Sequence, residues 1–190
     1  MKKIILTTLF VIAFAVCNAQ SDHLKFKGIP IEGTQNSFVQ KLKTKGFTYK
    51  GMNEGIAILE GEFAGQKKCT VLVSRFADKD VVQLVAVFLP ERDNWAAIMS
   101  DYNTYKQFLT EKYGNPECSE GFSGREPSDD FLKFRSVIDN ECQFLSEFST
   151  EGGRIQLSMM KAEYNTASVF LKYIDESNAN EVRQQIMDDL

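Results

Sequence analysis

Twice along the chain a run of apolar residues at helical spacing gives way to alternating apolar segments separated by polar or glycine-containing turns. That order restricts the fold to helices packed on antiparallel meanders. The first unit opens at Thr34-Gln35-Asn36-Ser37, a cluster of helix-capping side chains. Phe38, Val39 and Leu42 then fall on one helical face, and Gly46 supplies a stop. Phe47-Thr48-Tyr49, Ile56 to Phe63, Cys69 to Val73 and Val81 to Leu89 read as strands, with turns at Ala64-Gly65-Gln66 and Asp78-Lys79-Asp80.

The second unit repeats the order. Asp93 is predicted to cap a helix whose stripe is Trp95, Ile98, Tyr102, Tyr105 and Leu109, ended by Gly114 and Pro116. Cys142 to Phe148, Ile155 to Met159 and Ser168 to Ile174 read as strands, and Glu151-Gly152-Gly153 as a turn. The hairpin Glu62-Phe63, turn, Cys69-x-Val71-x-Val73 matches Glu147-Phe148, turn, Ile155-x-Leu157-x-Met159. Residues 117–140 have no counterpart in the first unit. They read as a loop followed by a short helix, capped from Ser128-Asp129-Asp130 and carrying Phe131, Leu132, Arg135 and Ile138. Leu24 to Lys27 alternates like an edge strand. Asn178 with Glu181 reads as the capping pair of a final helix, with Val182, Ile186 and Leu190 on one face.

The expected fold class is therefore α+β: two tandem helix-plus-antiparallel-meander units, residues 20–92 and 93–190, forming one sheet with helices on one face. This element order resembles the β-lactamase-inhibitor-protein-like (BLIP-like) fold across most of residues 24–174. The segment from His23 to Ile31, His-Leu-Lys-Phe-Lys-Gly-Ile-Pro-Ile, is also similar to the mature N-terminus of small exported proteins of gut-type Gram-negative bacteria. The resemblance rests on element order without a signature motif, so it transfers no functional residue of any inhibitor.

Export is expected from the start of the chain. Lys2-Lys3 is followed by an uncharged apolar run from Ile4 to Val16, too short for a spanning helix of about 20 residues. Cys17-Asn18-Ala19 places small side chains where cleavage after Ala19 needs them, so residues 1–19 read as a signal peptide for a periplasmic or secreted protein. Lipid anchoring at Cys17 is the less favoured alternative, because Val16 precedes it where a small residue is wanted. The net charge is −4, and 22 basic residues face 26 acidic ones with no basic cluster, which excludes a nucleic-acid face. No later apolar run reaches membrane length.

The residues that carry chemistry are sparse. His23 is the only histidine and is expected in a frayed terminus, so histidine triads and multi-histidine metal sites are excluded. Cys69 lies in an alternating apolar run and reads as a buried thiol. Cys118 and Cys142 bracket the inserted segment and are a candidate disulfide, with three unbridged thiols as the other reading. Asp78/Asp80, Asp129/Asp130 and Asp188/Asp189 lie at turns, helix starts or the chain end, where solvated acids belong. No catalytic constellation, metal site or cofactor motif is found.

One feature resists an ordinary reading. Strand 81–89 is apolar on both faces, whereas a sheet with one solvated face alternates. Leu72, Phe76, Val85, Val87, Met160 and Phe170 are the candidate interaction face, taken to lie opposite a core set of Val71, Val73, Met159 and Leu171. The expected function is that of a non-enzymatic binding protein that engages an extracytoplasmic protein through this face. Self-association, or cover by the insertion or final helix, is the competing account of the face. A small-ligand or envelope-glycan binding protein, with an aromatic-lined cavity between sheet and helices, is the alternative function.

Overall fold

The computed structural model describes residues 23–76 and 79–188. The expected signal peptide, Cys17, Asp78, Asp189 and Leu190 lie outside them. The chain is α+β, and its described residues form one antiparallel sheet of eight strands, a separate two-stranded hairpin and four helices. The hairpin comes first, β1 (Lys25–Phe26) and β2 (Ile29–Pro30), followed by α1 (Gln35–Thr44). The meander β3 (Thr48–Asn53), β4 (Ile56–Phe63), β5 (Gln66–Arg75) and β6 (Val82–Phe88) follows. Then come α2 (Trp95–Tyr113), β7 (Glu117–Phe122) and α3 (Asp130–Ile138). β8 (Cys142–Thr150), β9 (Gly153–Lys161), β10 (Ala167–Asp175) and α4 (Glu176–Asp188) follow as the last of the described elements.

The strand order is β3-β4-β5-β6-β10-β9-β8-β7. Two four-stranded meanders thus meet at their last strands, β6 and β10, where Val87 faces Leu171 and Val85 faces Tyr173. The core lies between one face of this sheet and the helices. Val71, Val73, Val85, Val87, Leu157 and Leu171 meet Phe38 and Leu42 of α1 and Ile98 and Tyr102 of α2 in a single buried cluster. These side chains alternate along their strands, so one sheet face supplies them all.

The stripe from Ile98 through Tyr102 and Tyr105 to Leu109 is buried along α2, as its spacing predicts. The helix starts differ in detail. Thr34 caps α1, but Asn94 rather than Asp93 caps α2, accepting from the N–H of Ala97 at 2.9 Å. Asp129 caps α3. At α4 the carboxylate of Asp175 accepts from the N–H of Asn178, so the helix starts earlier than expected. Asn178 is instead buried, its side-chain amide donating to the carbonyls of Ile31 and Val82.

Two further expectations are corrected. Residues 117–122, expected as loop, form β7 at the sheet edge, with Glu117 opposite Glu147 and Phe122 opposite Cys142. Backbone pairing makes this strand, and a mostly exposed edge needs no apolar alternation. The segment 24–27 does not extend the large sheet. It folds into its own hairpin, and its buried Phe26 stacks on Phe63 at 5.5 Å and meets Tyr173 edge-on at 5.2 Å.

Candidate interaction face

The face of the sheet opposite the helices can be read row by row from the strand register. One row crosses six strands as Glu147, Gln156, Lys172, Ala86, Leu72 and Ile58. The next runs Leu145, Ser158, Phe170, Phe88, Thr70 and Glu60. The Phe88 and Phe170 rings pack at 4.7 Å between centroids. Ala86 is 3% exposed yet stands outside the core cluster, because Leu72 and Lys172 flank it on the same face. Leu72, Phe88 and Phe170 are half-buried, and Met160, opposite Ser168, is exposed.

Of the six residues named from the sequence, Leu72, Met160 and Phe170 lie on this face. Val85 and Val87 do not: each is fully buried in the core, opposite Tyr173 and Leu171. Their neighbours Ala86 and Phe88 take the places assigned to them, together with Leu84. Periodicity could not choose between two apolar faces of one strand; pairing of Val85 with Val73 chose. A register shift between Ser74 and Arg75 turns Val82 inward as well. Phe76 follows the end of β5 and stands in the turn, where its N–H bonds the carbonyl of Val81.

The charges on this face are unevenly satisfied. Glu60 pairs with Lys50, and Glu147 accepts from Gln156 at 2.6 Å with Arg154 nearby. Lys172 is half-buried between Ala86 and Gln156, along the strand from Phe170 and Ile174, and forms no ion pair among the described residues. The sequence contained that signal: a lysine inside an apolar strand on the non-core parity.

Among the described residues, the hydroxyl of Ser74, which stands opposite Leu84 on this face, is the one buried side-chain polar group without a hydrogen-bond partner. On the helix side, Tyr102 is fully buried and its hydroxyl contacts Glu120 at 2.7 Å and Ser146 at 2.8 Å, while Lys106 pairs with Glu120 at 2.6 Å. Burial drives the phenol of Tyr102 well above its ordinary range. Burial alone would raise Glu120, but hydrogen bonds from Lys106 and Tyr102 outweigh it and hold the carboxyl low.

His23, expected to be loose, is held: its Nδ1 lies 3.0 Å from Oδ1 of the fully buried Asp175. The three described cysteines are free. Cys118 stands opposite Ser146 and Cys142 opposite Phe122, four residues away along β8, so about 13 Å of strand separates the proposed disulfide partners. Cys69 is fully buried, and burial pushes its thiol up; the same cause lifts Cys142 to about 11.

Among the described residues, no three His, Cys, Asp or Glu side chains gather as metal ligands. No described helix is long and apolar enough to cross a membrane. Compared with protein-family models, curated proteins and solved structures, the chain matches none.

Proposed function

We propose that this is an exported, non-enzymatic binding protein that docks a protein partner on the open face of its sheet. The observation that carries the proposal is Lys172. A half-buried cation that forms no ion pair among the described residues sits amid Phe88, Phe170, Ala86 and Leu72, on a face outside the core cluster. An apolar centre with polar neighbours is the composition of an interface, and a partner carboxylate would complete it. The element order also supports tandem BLIP-like units. Each half of the strand order, β3-β4-β5-β6 and β10-β9-β8-β7, is a complete meander preceded in the chain by a helix.

The test is capture from envelope and culture-supernatant extracts with the immobilised protein, its F170E and K172E variants, and an E111Q control on the exposed side of α2. A partner that binds wild type and control, is lost with both face variants, and rebinds in purified form supports the reading. A partner indifferent to both variants overturns it, as does recovery of the protein's own chain alone.

A further inference from the structure

A groove opens on the helix side of the sheet, away from the face proposed above. The two halves of that side are unequally covered. α2 and α3 lie over the second meander, where α2 alone is about 28 Å long; the first carries α1, about 15 Å long, with α4 against β6 and the β1-β2 hairpin against Phe63 of β4. The shorter helix leaves the edge strand β3 partly bare. Tyr49 and Met52, which stand opposite the core residues Leu59 and Ala57, are 42% and 58% exposed.

The gap is a groove of about 540 Å³. Its apolar surface is Val39, Ala57, Tyr49 and Met52. One wall is the α1 stripe Asn36, Val39, Gln40 and Lys43, which share a helix side by their spacing of three and four. Gln35 fixes that wall in place, its buried amide donating to the carbonyls of Gly55 at 2.7 Å and Val73 at 2.8 Å. Two cations reach the groove, Lys43 from the last turn of α1 and Arg75 from the end of β5, and neither forms an ion pair among the described residues. Asp80 is the one acid among the described residues of the lining.

We infer that this groove binds a small amphipathic carboxylate, its apolar body on Met52, Tyr49, Val39 and Ala57 and its anionic end held by Lys43 and Arg75. The size falls within the usual range of small-molecule sites, and an apolar floor with a few convergent polar groups is their usual lining. Arginine supplies planar, bidentate recognition of a carboxylate. An acid on a linear apolar chain matches both halves of the groove.

The probe is decanoate below its micellar concentration, titrated calorimetrically into the protein, with 1-decanol as the uncharged match. Saturable one-to-one binding is expected, at least tenfold weaker for decanol and for the K43Q/R75Q double variant. Both substituted residues are exposed, so this variant should melt with the wild type. M52E should abolish binding, and F170E on the opposite face should leave it unchanged. Absence of saturable binding overturns the inference. So does equal affinity for decanol, undiminished binding by a folded K43Q/R75Q protein, or loss with F170E alone.

Discussion

Replacing Asp175 should loosen both ends of the described fold at once. Its carboxylate is fully buried and accepts from the N–H of Leu24 at 2.7 Å and of Asn178 at 2.8 Å, besides its contact with His23. One side chain thus ties the segment before β1, the end of β10 and the first turn of α4. Asp175→Ala strands two buried backbone donors, each costing about 1–3 kcal/mol, so a loss of roughly 3–5 kcal/mol is expected. Asp175→Asn retains one acceptor but sets an amide NH₂ against the other donor, and about half that loss is expected. Urea unfolding gives the magnitude, and hydrogen exchange locates it at the amides of Leu24 and Asn178. A D175A protein within about 1 kcal/mol of wild type, with both amides still protected, would refute the reasoning, since an unsatisfied buried donor cannot be that inexpensive.

Gly153 has φ of 151°, and a Cβ there would stand 2.1 Å from the Ile174 carbonyl oxygen, so Gly153→Ala should cost more than about 2 kcal/mol in chemical denaturation. Val85→Glu should prevent folding or lower stability by about 4 kcal/mol or more, whereas Leu72→Glu on the open face should cost less than about 2; comparing their circular dichroism melts tests the assignment of faces. Glu120 holds its proton less tightly in the folded chain than in the unfolded one. The stability this provides is complete above the unfolded value of about 4.3 and is lost as pH falls toward the folded value. The stability gap between wild type and Glu120→Gln, measured by urea unfolding, should therefore narrow as pH falls from about 6 to about 3. Both thiols of the candidate disulfide pair, Cys118 and Cys142, should react with a thiol reagent in the denatured, unreduced protein; Cys118, being exposed, should react first in the native protein.

What the sequence determined by itself was local and periodic. The spacing of Ile98, Tyr102, Tyr105 and Leu109 could bury only as a helix, and Val71 with Val73 could share one face only as a strand. Those patterns, with the glycine turns, led to the α+β class and most of the elements. Tertiary structure decided wherever the local signal was symmetric or absent. β6 is apolar on both sides, so only its pairing with β5 and β10 sent Val85 and Val87 inward and left Ala86 and Phe88 on the open face. β7 has almost no apolar residues, so only the free edge of β8 made it a strand. His23 and Asp175 are 152 residues apart, and no periodicity reports a contact made by closing so long a stretch of chain. The groove beside α1 arises in the same way: a ten-residue helix laid on a sheet wider than it can cover.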